Sequence, residues 1–293
     1  MTQFKNDTIL VTGASGQFGR LVLDELLAKG ASKIVAGTRA PDKLAAYSAK
    51  GVDVRALDFE KTDTLASAFA GVDRVLIIST DSVGSRFAQH QAAIAAAQEA
   101  GVKHIVYTSA PAARPDSNAG VAPEHFWTEV AIANTGIDFT ILRNHMYAQN
   151  NLMDAGHVVS SGTLYGLIGD RGTSYVWRED AARTAAGALL CATGKTIEDV
   201  SGPAPISNEM RAALYSKVAG KPIKAVAVSE ADLKAGMVAG GVPAGFADVL
   251  LAFQRDAVLG HYGVVSDTVE KYSGRKPASF ETFVEANAAA FKG

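Results

Sequence analysis

This sequence predicts an α/β fold, with a doubly wound parallel sheet and a smaller, mostly helical C-terminal substrate lobe. Three observations carry the prediction. Residues 8–19 read as strand, glycine turn and helix. Strand-like and helix-like stretches then alternate as far as residue 143. Beyond Asn144 the rhythm breaks and helical patterns dominate.

The opening segment is Thr-Ile-Leu-Val-Thr-Gly-Ala-Ser-Gly-Gln-Phe-Gly, residues 8–19. Ile9 to Val11 form a short apolar run, and Phe18, Leu21, Val22 and Leu26 repeat at helical spacing. Strand, turn and helix in this order begin a dinucleotide-binding βαβ unit of the Rossmann type. Gly13 lets the chain turn, Gly16 lets the backbone approach a pyrophosphate, and Gly19 lets helix and strand pack closely. A pyrophosphate then meets unpaired N–H groups and the positive end of the helix dipole. The candidate cofactor-binding residues of this loop are Gly13, Ser15, Gly16, Gln17, Phe18 and Gly19. The spacing is Gly-x-x-Gly-x-x-Gly, which an ordinary turn can also show; its place between strand and helix is what makes it specific.

Gly30 stops the first helix and Lys33–Thr38 reads as a second strand. Pro41 suits the first turn of a helix ending near Gly51, before a third strand over 52–57. A helix over 62–69, a strand over 74–78, an alanine-rich helix over 86–100 and a strand over 104–108 follow. The stretch 110–121 reads as irregular, 123–134 as helix and 138–143 as a sixth strand. Such spacing implies a parallel sheet covered on both faces. Further on, 164–167, 174–177 and 223–228 are strand candidates, and helices are expected from a cap at Asp180 to about residue 193 and from a cap at Ser207 to about residue 218. Helical stretches follow over 230–238 and 244–259, with a last helix over 280–291 capped by Ser279. The natural division is 1–150 for a cofactor-binding half and 151–293 for the lobe, with some later segments free to return to the main sheet.

Composition narrows the function. The chain has 293 residues, is 48% hydrophobic and carries a net charge of -2, as a globular protein with a sizeable core does. No basic run points to nucleic acid, and no apolar stretch is long enough to span a membrane. The N-terminus lacks an apolar signal region, so a cytoplasmic protein is expected, as monomer or homodimer. Cys191 is the one cysteine, and no cluster has metal-ligand spacing.

The end of the second strand meets the adenosine ribose in this fold. It carries Gly37-Thr38-Arg39, with no acid before Asp42. A carboxylate there selects a free 2′-hydroxyl, whereas an arginine accommodates a 2′-phosphate, so NADPH is the expected cofactor, with Lys43 as a further cation. A solvated surface arginine is the alternative. Asp58 and Phe59 are candidates for the adenine end, Asp58 as an acceptor from the amine or simply as a turn acid.

With these residues in place, the chain resembles the NmrA-like branch of the atypical short-chain dehydrogenase/reductases. Within that branch it is most similar to bacterial type 2 NAD(P)H:quinone oxidoreductases, with triphenylmethane reductases as near relatives. The resemblance rests on residues 11–19, Ser79–Gly84, residues 101–109, Glu-His-Phe-Trp-Thr-Glu (124–129), Leu-Arg-Asn-His-Met-Tyr (142–147) and Arg-Glu-Asp (178–180). It runs nearly end to end and is strongest before residue 180. It implies that Gly13 to Gly19, Arg39, Asp81, Ser82, Val83 and the 144–149 loop, including Asn144 and His145, hold NADP; the Asn144 and His145 side chains can bond the carboxamide or the substrate, or merely close the turn. Two departures bear on pocket shape: His145 stands where relatives commonly carry glycine, and Trp177 where a smaller residue is usual.

Ordinary short-chain dehydrogenases use a tyrosine and a lysine four residues on. Only Tyr272 and Lys276 match that spacing here, near Gly274, where no helix should hold them on one face. The helix after the fifth strand instead carries His125 and Glu129 on one face. Glu129 can orient the imidazole and raise its pKa so that His125 assists protonation of a reduced substrate; a helix-stabilising pair is the alternative. A quinone needs little acid catalysis, because conjugation stabilises the anion that hydride addition forms. Placement over the nicotinamide matters more. Phe126, Tyr147 and Trp177 are candidates to stack a planar acceptor, or else core residues. Tyr147 follows the carboxyl end of a strand, where ligands bind in such sheets. His125 and Tyr147 are therefore the candidate catalytic residues. The expected activity is hydride transfer from NADPH to a quinone or similar conjugated small molecule. Dyes, nitro- or azo-aromatics and enones are alternative acceptors. A redox sensor that binds NADP(H) without turnover is an alternative of a different class.

Overall fold

The first buried run of the chain is also the centre of its sheet. The computed structural model describes residues 2–116 and 121–292. Strand β1 (Thr8–Val11) carries Ile9, Leu10 and Val11 with no exposed surface. It is followed by α1 (Gln17–Ala28), β2 (Lys33–Thr38), α2 (Ala45–Ser48), β3 (Asp53–Ala56), α3 (Thr62–Phe69) and β4 (Arg74–Ile77). Then come α4 (Arg86–Glu99), β5 (His104–Ser109), α5 (Ala122–Asn134), β6 (Asp138–Asn144), α6 (Ala155–Ser161) and β7 (Thr163–Leu167). The rest is α7 (Arg178–Cys191), β8 (Lys195–Val200), α8 (Asn208–Ala219), β9 (Lys224–Val228), α9 (Glu230–Ala239), α10 (Ala244–Val258), α11 (Thr268–Ser273) and α12 (Phe280–Ala286). Of the irregular stretch over 110–121, residues 117–120 lie outside the described ones.

The main sheet has the order β3-β2-β1-β4-β5-β6-β8, and every pairing in it is parallel. Its strands read as apolar runs because both faces are covered. One face packs under α1, α7 and α11, with Leu23, Leu26, Ala185, Leu189 and Tyr272 in that core. The other packs under α3, α4 and α5, with Phe69, Ala93, Ala97 and Ile132. The strand order reverses between β1 and β4, and a crevice opens there at the carboxyl ends.

Residues 195–200 suggest no element from sequence, yet they form β8, paired with β6 from Phe139–Lys195 to Asn144–Val200. Lys-Thr-Ile-Glu-Asp-Val has no apolar run because β8 is an edge strand, with Ile197 half exposed. Thus α7 and β8, both beyond residue 150, sit with the main sheet. The lobe is a two-stranded parallel sheet of β7 and β9 with α6, α8, α9, α10 and α12 around it. The expected strand over 174–177 is reduced to single bridges, Tyr147 with Val176 and Thr173 with Ile206. Ser207 and Ser279 cap α8 and α12 as expected, accepting from the N–H groups of Met210 and Thr282.

Asp180 does not cap its helix. α7 starts two residues earlier, and the fully buried Asp180 carboxylate accepts from the Ala278 N–H (2.9 Å) and pairs with Arg183. This ties the first turn of α7 to the chain just before α12. Tyr272 lies on α11, which Gly274 ends, so Lys276 falls beyond the helix; the Tyr272 hydroxyl donates to Glu198 instead (2.9 Å). Among the described residues no helix is long and apolar enough to cross a membrane.

Gly187 on α7 faces the backbone of α11. A Cβ there would overlap the Tyr272 carbonyl oxygen and stand 2.6 Å from its carbon. Gly236, inside α9, has nothing within 4 Å of such a position. Gly187→Ala is expected to destabilise the protein by about 2–3 kcal/mol. Gly236→Ala should stabilise it by up to about 1 kcal/mol, since alanine is the better helix former. Denaturant titration of both variants checks this, and equal responses would contradict the α7–α11 contact.

Candidate active site

β1 ends against backbone on both sides. Thr12 N–H donates to the Leu76 carbonyl and Ala14 N–H to that of Gly37, each at 3.0 Å. Gly13 takes φ +59°, a left-handed turn that returns the chain toward the sheet. A Cβ on Gly19 would lie 2.6 Å from the Gly13 carbonyl oxygen and 2.7 Å from the Ala14 Cα, so only glycine lets α1 start this close to β1. No side chain caps α1, whose N-cap is Gly16. Its first N–H groups, on Gln17, Phe18 and Gly19, therefore keep an anion-binding geometry. The hydroxyls of Ser15 and Thr38 bond at 2.7 Å and join this loop to the end of β2.

The crevice is about 490 Å³ and is lined by Gly13, Ser15, Gly16, Thr38, Arg39, Lys43, Leu57, Asp58, Phe59, Ile78 to Ser82 and Gln89. Eight of the sequence-predicted cofactor residues thus share one wall system: Gly13, Ser15, Gly16, Arg39, Asp58, Phe59, Asp81 and Ser82. Arg39 and Lys43 are exposed at the β2 end, and no ion pair engages either one among the described residues. Val83, 54% exposed, lies outside the lining. Thr80 and Gln89 drew no attention in sequence. Each has a buried acceptor without a hydrogen-bond partner among the described residues, Thr80 Oγ1 and Gln89 Oε1.

The loop from Ser79 to Ser85 is held from beneath by buried polar side chains. Thr80 N–H donates to His90 Nε2 (3.2 Å), and Arg86 Nε donates to the Thr80 carbonyl (2.6 Å). His90 therefore carries its proton on Nδ1, facing Thr128 Oγ1 at 3.0 Å. Arg86 Nη1 faces His125 Nε2 at 3.4 Å, and a guanidinium can only donate. The His125 proton is then on Nδ1, directed at the Tyr107 hydroxyl 2.7 Å away. Burial, then the Arg86 cation, then His90 hold His125 well below its ordinary pKa. Burial, with Arg86, brings His90 down to about 3. Burial also raises the Tyr107 phenol.

This corrects the expected His125–Glu129 pair. Glu129 instead accepts from Ser109 Oγ (2.6 Å) and in fork geometry from Arg143 Nε (3.0 Å) and Nη2 (2.7 Å) on β6. The guanidinium offers a charged bidentate partner across the sheet, which an imidazole one turn away cannot match. The imidazole pKa is therefore lowered rather than raised, and its one N–H points into the protein.

At the end of β6, Tyr147 stacks on Phe18 of α1, with centroids 6.1 Å apart and an interplanar angle of 26°. Asn144 Nδ2 donates to the Tyr147 hydroxyl (3.2 Å), and Arg178 lies over its ring at 5.3 Å. The Asn144 Oδ1 is buried and without a partner among the described residues. His145 follows the turn-closing alternative. It is buried, with Nδ1 3.2 Å from the Tyr262 carbonyl and Nε2 3.2 Å from Asp199 Oδ1, so its ring closes the turn toward β8. Trp177 donates to the Ser279 carbonyl (3.0 Å) and packs edge-on against Phe283 in the lobe core, away from Phe126. Phe126 is half-buried on α5, with its ring 5.1 Å from that of the exposed Trp127.

These residues fit a bound dinucleotide. The glycine cradle would be filled by any Cβ at Gly19, and unpartnered buried acceptors on Thr80, Gln89 and Asn144 are spread along the carboxyl ends of the sheet. Among the described residues no group of three or more His, Cys, Asp and Glu is arranged to hold a metal.

Comparison with known proteins gives the same direction. Residues 13–191 match the family described as NAD(P)H-binding. Quinone oxidoreductase 2 of Escherichia coli is 38% identical over 269 residues, which is 91% of this chain and 93% of that protein. An NAD(P)H azoreductase of Xenophilus azovorans is 31% identical over 284 residues, covering 97% of this chain and 99% of that protein. The crystal structure of the E. coli NADPH-dependent quinone oxidoreductase complexed with NADPH superposes with a TM-score of 0.90 at 35% identity, covering 96% of this chain and 99% of that one.

A third histidine, His104, is also buried and reaches only Thr140 Oγ1 (3.0 Å); burial and the Arg74 cation bring it to about 4. Unfolded, all three histidines titrate near 6.5. Below that pH the unfolded chain binds protons that the folded one refuses, so stability is full above 6.5 and falls as pH drops toward about 4. Each histidine removes up to about 1.4 kcal/mol per pH unit. Unfolding free energies measured between pH 7.5 and 5 should therefore fall before the carboxylates titrate; a flat profile would contradict neutral burial.

Proposed function

The chain belongs to the NAD(P)H-binding family, and on that footing we propose that it is an NADPH-dependent reductase of quinones or similar conjugated, electron-poor acceptors. The observation that carries the reading is Tyr147. It is stacked on the cofactor-loop residue Phe18, with its hydroxyl held by Asn144 and no lysine beside it. Bound NADPH supplies the hydride. The first turn of α1 and Ser15 take the pyrophosphate, and Arg39 and Lys43 take the 2′-phosphate. Asn144 Oδ1, buried and unpartnered, accepts from the carboxamide N–H. His125 is a positioning residue, which locks Arg86 and so the Thr80 carbonyl of the loop over the crevice.

Burial pushes the Tyr147 phenol up to about 12, so it stays protonated at neutral pH. Its oxygen already accepts from Asn144, which leaves its own proton to bond an acceptor oxygen. That is a hydrogen bond to developing charge rather than a full proton transfer, and a quinone needs no more. Phe126 and its neighbour Trp127 offer an aromatic face on α5, which suits a flat acceptor. Trp177 is held in the lobe by Ser279 and Phe283 and offers no face to the acceptor. The azoreductase relative makes azo-aromatics the second acceptor class to test.

Purified protein should consume NADPH saturably with a small benzoquinone, faster than it consumes NADH and faster than the protein-free control. Binding of NADPH without consumption across quinones and azo dyes would favour a sensor. Arg39→Asp is expected to lower kcat/KM for NADPH by about 10–100-fold and shift preference toward NADH. Unchanged preference would remove Arg39 from the phosphate site. Tyr147→Phe should lower kcat/KM for benzoquinone by about tenfold. A loss of about 10²–10⁴ would instead make Tyr147 a general acid.

A further inference from the structure

The cofactor reading leaves one buried side chain on the crevice wall without a role. Gln89, on the second turn of α4, is 8% exposed and lines the crevice beside Leu57, Asp58 and Phe59. Its Nε2 donates to Glu60 Oε1 at 2.8 Å. A carboxylate can only accept, so Glu60 fixes which end of the amide is nitrogen. The amide oxygen is thereby turned the other way, where it is buried and unpartnered among the described residues. An acceptor left so costs stability unless something donates to it.

Resting on the NADPH reading above, we propose that Gln89 Oε1 reads the purine of the cofactor, accepting from the 6-amino group of adenine, with Glu60 as the residue that orients it. Asp58 is less suited to that task. Its Oδ1 accepts from the Glu60 N–H (3.2 Å) and its Oδ2 stands 4.0 Å from Lys61, so its carboxylate closes the turn after β3. Leu57 and Phe59 supply apolar contact for the rings, and Gln89 supplies the discrimination. A purine with a carbonyl at the 6-position places oxygen against oxygen there, so the site distinguishes adenine from hypoxanthine dinucleotides.

The test is equilibrium binding of NADP and of its 6-deamino (hypoxanthine) analogue to the full chain, which needs no turnover. Wild-type protein should bind the deamino form about 5- to 50-fold more weakly. Gln89→Leu should weaken NADP binding and bring the two affinities within about twofold, since no acceptor is left to oppose the carbonyl. Glu60→Ala, an exposed site whose loss leaves the core intact, should reduce the ratio by freeing the amide to rotate, and it serves if Gln89→Leu does not fold. Equal binding by wild type, or an undiminished ratio in both variants, overturns the inference alone. A ratio abolished by Asp58→Asn but not by Gln89→Leu assigns the purine to Asp58. Failure of either dinucleotide to bind overturns the cofactor reading and this inference together.

Discussion

The contact between Gly19 and the turn at Gly13 is the constraint on which the rest depends. Because nothing stands between helix and strand, the N-terminus of α1 opens at the very edge of the sheet, beside the reversal of strand order. Every other wall of the crevice is then set by where a strand ends. β2 delivers Arg39, β3 delivers Asp58 and Phe59, and β4 delivers the loop to Ser82, while Asn144 ends β6 and Tyr147 follows it, both outside the crevice lining. Phe18 adds a second consequence of the same placement, since its ring becomes the support on which Tyr147 lies. The crevice and the Tyr147 ring thus share one helix start.

Side chains hold the loop from Ser79 to Ser85 at the edge of the crevice. His90 accepts from the Thr80 N–H and Arg86 donates to the Thr80 carbonyl, so both backbone groups of one residue are fixed. His125, Tyr107 and Thr128 close the network behind them. His90, Arg86, His125, Tyr107 and Thr128 are buried and bonded to one another, the arrangement in which a buried polar cluster stiffens a fold. The arrangement keeps two histidines neutral beside an arginine, beneath the loop from Ser79 to Ser85.

Much of this was legible in the sequence where local pattern and tertiary demand agree. The 8–19 segment named its own structure, and Arg39, Asp58, Phe59, Asp81 and Ser82 fell into one crevice because strand ends converge by topology. The misreadings occur where a side chain chooses a partner across the sheet. Glu129 had the right spacing to reach His125, but Arg143, fourteen residues on, offered a forked charged partner that sequence distance conceals. His145 was drawn to Asp199 on β8, a strand whose lack of an apolar run hid it. Gln89 looked like any polar residue on an alanine-rich helix, and only Glu60 on a neighbouring turn reveals the way its amide faces.

The last part of the chain completes what the first part began. Tyr272 seals α7 from below, Ala278 caps the Asp180 carboxylate, and Phe280, Phe283 and Phe291 fill the lobe beneath Tyr175 and Trp177. A protein synthesised from its N-terminus therefore has its cofactor strands in hand while the underside of α7 is still bare. The main sheet is in this sense early and the lobe late. A nascent chain can then frame the dinucleotide crevice before the lobe core is synthesised. Binding of abundant nicotinamide cofactor at that stage would favour the folded half of the chain before the other half exists.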